Sequence, residues 1–134
     1  MSNIVKKLKA QPNFHALSAA NIEQIEQAEK ALELKFADEY REYLISFGVV
    51  SFYGHEFTGI CKYPRLNVVD VTICERINNP TIPTDWYVVE QANIDGIVIW
   101  QSGSTGEIYQ TIPNAPAVKL CGSMCEYLDK IFIK

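Results

Sequence analysis

Long apolar runs are missing from this chain. No wholly apolar stretch exceeds four residues, Ile97–Trp100 being one of them, whereas a membrane-spanning helix needs about 20. The start, Met1-Ser2-Asn3-Ile4-Val5-Lys6-Lys7, lacks the charged segment and apolar core of a secretory signal. We therefore expect a soluble, cytoplasmic protein that makes no membrane contact. Basic clusters are scarce as well. Only Lys6, Lys7 and Lys9 fall together, and the net charge is −4 from 16 acids and 12 bases. Affinity for DNA or RNA rests on neutralising phosphates, so direct nucleic-acid binding is disfavoured and a basic protein partner suits the balance better.

Histidine is limited to His15 and His55, and the four cysteines (Cys61, Cys74, Cys121, Cys125) contain no Cys-x-x-Cys pair. A zinc site uses four convergent ligands, usually in two close pairs. We expect no metal site and no cofactor, with the thiols packing as small reduced hydrophobes. Glycine-rich phosphate loops are absent too. Gly103-Ser104-Thr105-Gly106 is too short for a P-loop and reads as a hairpin turn, and no Gly-x-Ser-x-Gly elbow occurs. Cys61 follows His55 by six residues, but a nucleophile needs hydrogen-bonding reach to its base, and nothing enforces it here. Glu56, Asp70, Asp95 and Glu107 show no spacing that makes them converge on a pocket, as acid–base catalysis requires. No enzyme signature survives, and we assign no catalytic residue.

What is present is an ordinary globular composition. The 134 residues are 48% apolar and 21% charged, a single domain's worth with enough surface to bury a core. Residues 1–17 read as a less ordered segment or a short helix. Residues 18–47 read as two helices. Ile22, Ile25, Ala28 and Leu32 share one face, Ser18 or Asn21 caps the start, and Asn21 with Gln24 resembles a capping box. A break near Leu34-Lys35-Phe36 leads to a helix from Asp38 whose inner face is Tyr40, Tyr43, Leu44 and Phe47, with Gly48 as its left-handed terminator.

Val49–Tyr53 and Glu56–Ile60 look like short strands around Gly54-His55. Residues 67–78 fit either a strand or a helix capped by Asp70, and Ile73, Cys74 and Ile77 tilt the reading to helix. Three strands follow, Trp86–Glu90, Gly96–Gln101 and Gly106–Thr111, joined by turns at Asn93-Ile94-Asp95-Gly96 and Ser102–Gly106. Ala117–Leu120 adds an edge strand. The run Ile97–Trp100 suits a strand covered on both faces. Ser123-Met124-Cys125-Glu126 is a capping box opening a last helix with Met124, Tyr127, Leu128, Ile131 and Phe132 inward. The fold class is α+β: N-terminal helices, a mostly antiparallel meander, and a C-terminal helix packed on the sheet.

Charge is unevenly placed. Residues 21–42 hold seven acids (Glu23, Glu26, Glu29, Glu33, Asp38, Glu39, Glu42) and three bases (Lys30, Lys35, Arg41), so this segment equals the whole-chain excess. Either it is a solvated helix face or it steers a basic partner. Glu29 falls at the edge of the apolar stripe, where a bonding partner is expected.

Several segments resemble one family. Ile25-Glu26-Gln27-Ala28-Glu29-Lys30-Ala31-Leu32, Phe36-Ala37-Asp38-Glu39-Tyr40-Arg41-Glu42-Tyr43-Leu44 and Phe47-Gly48 resemble the opening signature of the SUKH superfamily, which includes cell-wall assembly regulators of the SMI/KNR type. Pro83–Glu90 is similar to its Pro-x-x-Tyr-x-Val-Ile strand, Gly106-Glu107-Ile108-Tyr109 to its Gly-Glu-Val-Tyr strand, and Ser123–Leu128 to its terminal helix. The likeness runs in order from residue 18 to about residue 130. Ala37 stands where the family has a junction proline, and Phe47-Gly48-Val49 where it has Asn-Gly-Gly.

The resemblance implies an α+β fold and no catalytic residue. Glu29, Leu32, Tyr40, Leu44 and Gly48 match the signature as structural positions. It also implies one of two roles: in bacteria an immunity protein that binds a cognate polymorphic toxin, often a nuclease, and in fungi a cell-wall regulatory scaffold. The expected partner is thus a basic toxin domain whose active site is occluded. The candidate contacts, chosen for expected exposure, are Glu26, Glu33, Glu56 and Asp95, with Tyr53 and Trp86 as aromatic anchors.

Overall fold

Asn21 and Gln24 form the capping box that their spacing predicts. The Gln24 N–H donates to Asn21 Oδ1 at 2.8 Å and the Asn21 N–H to Gln24 Oε1 at 2.9 Å, satisfying two donors a helix start leaves unpaired. Helix α2 (Ile22–Leu32) follows and buries Ile25, Ala28, Glu29 and Leu32. Ile22 does not join that face; it is 50% exposed. Ala20, whose N–H donates to the Leu44 carbonyl, is buried in the corner ahead of it.

The computed structural model describes residues 3–92 and 94–132, apart from the Phe132 side chain. Asn93 of the expected turn and the Phe132 side chain of the expected stripe therefore lie outside the described residues. The N-terminal segment contains helix α1 (Asn3–Lys9), with Ile4, Val5 and Leu8 buried. It packs on helix α3 (Asp38–Phe47) and helix α5 (Met124–Phe132).

Glu29 makes the junction between α2 and α3. Its carboxylate accepts the Phe36 N–H at 2.9 Å and lies 3.6 Å from Arg41 Nε, the partnership its place on the helix called for. Ala37 holds φ −61° and ψ 149°, the backbone a proline would impose. Its N–H, which proline lacks, donates to Tyr87 Oη at 3.0 Å. The departure from the family pattern keeps the bend and adds a bond.

Gly48 also departs from expectation in detail. Its φ is 73° but its ψ is −64°, not the left-handed helical pair. The Val49 N–H donates to the Phe47 carbonyl at 2.8 Å, so Gly48 centres a γ-turn of the rare, strained hand. The chain reverses there directly into strand β2 (Val50–Phe52).

Strand β2 lies between β1 (His15–Ala16) and β3 (His55–Glu56) in a small antiparallel sheet. The second sheet is the expected meander: β4 (Trp86–Gln91), β5 (Val98–Ser102), β6 (Ile108–Thr111) and β7 (Val118–Cys121) pair antiparallel in chain order. Both faces are covered, as the unbroken apolar run Ile97–Trp100 predicts. Tyr87, Val89, Ile99 and Ile108 join the main core with α1, α2, α3 and α5. Trp86, Val88, Val98 and Trp100 form a second core.

The second core is covered by the 67–78 segment, which is helix α4 (Val68–Asn78). Val68, Val71 and Thr72 are its buried residues, and Val71 packs in the second core. The start differs from the Asp70 cap considered: Asn67 is the N-cap, and Asp70 sits in the first turn accepting from Asn67 Nδ2. Ile73, Cys74 and Ile77 point outward.

The last helix begins with half of the expected box. Ser123 Oγ accepts the Glu126 N–H at 3.1 Å, but the Glu126 carboxylate turns to the Gly122 N–H. Glu39 of α3 supplies the rest, accepting the Met124 and Cys125 N–H groups at 2.7 and 3.0 Å. A carboxylate at a helix N-terminus also complements its dipole, so α3 and α5 are locked end to side.

Candidate interaction surface

Helices α2 and α3 are tied together at two places. The Ala20 N–H to Leu44 carbonyl bond fixes one end of the pair, and the Glu29–Arg41 contact fixes a point nearer the other. On α2, Ile22, Glu26 and Glu29 recur at four and three, a single row along the helix, and Glu33, the left-handed C-cap, follows at its end. Asp38, Arg41 and Ile45 form the matching row on α3. Glu29 meets Arg41, so the two rows adjoin at that point, and the surface they border is a seam.

One end of that seam is apolar, with Ile22 and Ile45 at 50% and 44% exposure. Glu26, Glu33 and Asp38 border it and are exposed. Of the seven acids in 21–42, Glu29 and Glu39 are taken up by the fold, and Arg41 is tied to Glu29. That leaves five exposed carboxylates, Glu23, Glu26, Glu33, Asp38 and Glu42, against Lys30 and Lys35. Among the described residues none of the five is in an ion pair. The negative field of the chain is concentrated here.

A second feature is a cleft of about 500 Å³ between the β2–β3 hairpin, the β4–β5 turn and the outer end of α5. Its wall includes Gly54, His55 and Glu56 from the hairpin, Ile94 and Ile97 from the turn, and Tyr127, Lys130 and Ile131 from α5. Glu90 reaches it through a β-bulge. Strict alternation along β4 would turn Glu90 toward α4 with Trp86 and Val88. The register slips between Val88 and Glu90, so Glu90 pairs with Ile99 and shares its face.

There its carboxylate accepts from Tyr127 Oη and bonds His55 Nδ1, each at 2.6 Å. Glu90 is 3% exposed, and a buried carboxylate needs such partners. Burial first, and the Glu90 charge second, hold the Tyr127 phenol well above its ordinary range. The link ties hairpin, sheet and helix together. Sequence reading missed it because the bulge that aims Glu90 leaves no mark in periodicity.

The expected contacts are divided between these features. Glu26 and Glu33 lie on the seam. Tyr53 and Asp95 occupy the tips of the two turns at the cleft, with Tyr53 63% exposed. Glu56 lines the cleft, but its carboxylate is held by Arg65 through two bonds of 2.9 and 3.1 Å. Those bonds hold its carboxyl below the ordinary range. Trp86 requires a correction. It is 6% exposed and stacks on Tyr109 with ring centroids 4.1 Å apart. It belongs to the second core because it alternates with Tyr87 on a strand covered on both faces, so it is not a surface anchor.

The other groups considered for chemistry have separate partners. Cys61 Sγ donates to the Tyr63 carbonyl, while His55 engages Glu90. Glu107 binds Lys119 and Tyr109, and Asp70 binds Asn67. Among the described residues, the cleft lining holds no serine, threonine or cysteine to serve as a nucleophile beside His55. Among the described residues no cluster of histidine, cysteine and carboxylate side chains could hold a metal ion, and no helix is long and apolar enough to cross a membrane.

Comparison with known proteins bears on the whole of this architecture. A family model described as SMI1-KNR4 cell-wall, SUKH_5, matches residues 1–132. No curated protein matches the chain.

Proposed function

The chain belongs to the SMI1-KNR4, or SUKH, family, and from that membership we propose that it is an immunity protein. It acts in the cytoplasm, binding one copy of a cognate polymorphic toxin domain, a nuclease, and covering its active site. It is a binding module and performs no catalysis. The observation that carries this reading is the set of five exposed carboxylates on α2 and α3, set against two lysines. A nuclease cleft is basic because it must neutralise phosphates. An acidic face steers such a partner into encounter and competes for the same cations.

The family's association with the cell wall favours a second reading: a non-enzymatic regulatory scaffold. Co-expression separates the two. The product of the adjacent gene is expressed with and without the protein, and growth is followed. Rescue together with co-purification supports immunity. Unrelieved toxicity with no complex contradicts it.

A further inference from the structure

Helix α4 is apolar on two faces, and the fold covers one of them. Toward the sheet it buries Val68, Val71 and Thr72. On its other side Asp70, Ile73, Cys74 and Ile77 recur at three, one and three, which at 3.6 residues per turn is a single stripe about 100° wide. All four are exposed, Ile73 at 48% and Ile77 at 76%. A surface helix ordinarily turns polar residues outward, and apolar anchors at this spacing are what a second helix packs against. The charges at the two ends of the stripe indicate which helix that is. Asp70, at the N-terminal end, accepts from Asn67 Nδ2 at 2.8 Å and is in no ion pair among the described residues. Arg76 stands beside the C-terminal end. Its Nη2 donates to the Leu32 and Thr84 carbonyls, and it too has no carboxylate partner among the described residues. Glu75 is held by Gln91 Nε2 at 2.6 Å, on the side toward the sheet.

We propose that α4 is the contact between two copies of this chain, paired antiparallel about a two-fold axis that passes between Ile73 and Cys74. An interface of this symmetry must complement itself. Antiparallel pairing sets Asp70 of each copy against the end of the other helix that carries Arg76, an opposite charge, and does so twice. Parallel pairing would set Asp70 against Asp70 and Arg76 against Arg76. The stripe and its flank balance one acid with one base, so a basic partner drawn to the carboxylates of α2 and α3 finds no net negative charge here. At the axis the side chain of Cys74 is small, which lets the two helices approach. A contact one helix wide falls short of the ~1,200 Å² at which stable interfaces begin, so the dimer is weak and its population rises with concentration. Pairing through α4 involves no toxin and is independent of the immunity reading.

Sedimentation velocity of the reduced protein at rising concentration is the test, and the wild type should pass from monomer toward dimer. Ile77→Lys removes an isoleucine from each side of the contact and should weaken association at least about tenfold. Asp70→Asn should weaken it about twofold or more, the range of two exposed ion pairs. Cys74 supplies a trap. Packed helices ~8–10 Å apart with Cα radii of ~2.3 Å leave about 3–5 Å between facing Cα atoms, close to the span of a disulfide. Copper-phenanthroline should therefore join two Cys74 thiols, the copper complex taking two electrons and water two protons. A linked dimer is expected from the wild type and none from Cys74→Ser, while Ile77→Lys, which keeps the thiol, should link at least about tenfold more slowly. A monomer at every concentration overturns the proposal. So does association or cross-linking indifferent to Ile77→Lys, which places the contact elsewhere, and so does stronger association of Asp70→Asn, the mark of parallel helices.

Discussion

Replacing Gly48 by alanine isolates what the turn after α3 demands. Two costs add. The first is conformational: φ 73° with ψ −64° is a strained region for a residue with a Cβ, worth about 1–3 kcal/mol. The second is steric. An added Cβ would stand 2.0 Å from the Ser18 carbonyl oxygen and 3.0 Å from its carbon, and backbone does not yield as a flexible side chain does. Forced overpacking costs about 1–3 kcal/mol. Gly48→Ala should therefore lose roughly 2–6 kcal/mol, a large share of the ~5–15 kcal/mol that holds a domain together.

Gly54→Ala is the internal control. Its φ is 81°, but among the described residues beyond its chain neighbours no atom lies within 4 Å of the added Cβ, so only the conformational cost remains. Urea unfolding followed by the fluorescence of the buried Trp86 and Trp100 reads both variants. At a slope of about 1–3 kcal/mol per molar urea, the Gly48→Ala midpoint should fall by at least about 0.7 M, and further than that of Gly54→Ala. A loss for Gly48→Ala no larger than for Gly54→Ala would refute the steric argument.

Other consequences are testable with simpler measurements. Burial, followed by the contact with Glu39, pushes the Cys125 thiol up to about 12, and burial raises Cys121 as well. At pH 8 iodoacetamide should modify the exposed Cys74 first, with Cys121 and Cys125 reacting only on unfolding; mass spectrometry of timed digests shows the order. Partial burial raises the Asp85 carboxyl, but bonds from Ser104 and Ser102 outweigh it and hold it below its ordinary 3.8. A depressed carboxyl contributes stability above its unfolded-state pKa and loses it as pH falls through the folded value. Asp85→Asn should thus be the less stable protein at pH 7, with the gap to wild type narrowing below about pH 4. A gap that is constant with pH contradicts this.

Much of the fold was legible because its elements carry local chemistry. Asn21 with Gln24, the Glu29 position, the apolar run 97–100 and the Asp95-Gly96 turn each state their roles within a few residues. What was not legible depends on distant partners. Ile22 fits the apolar stripe, yet Ala20 and Leu44 close the corner ahead of it. Trp86 could be core or surface until β4 is known to have both faces covered. Ser123 and Glu126 spell a capping box, but a carboxylate from α3 takes two of the amides. Glu90 changes face through a bulge. The site divides in the same way: the acidity of residues 21–42 is visible in composition, whereas the bonds of Glu90 to His55 and Tyr127 join residues far apart in the chain.

The acidic seam is the central claim, and association kinetics test it most directly. The purified protein and the toxin domain that co-expression pairs with it are mixed in a stopped-flow instrument at low and high salt. We expect a one-to-one complex whose association rate falls steeply with salt, as steered encounters do. Glu26→Lys with Glu33→Lys should slow association about tenfold or more. The charge-matched pair Glu23→Lys with Glu42→Lys, which lies off the seam rows, should slow it distinctly less. Equal slowing by both pairs, or tight binding indifferent to salt and to all four substitutions, would contradict the account.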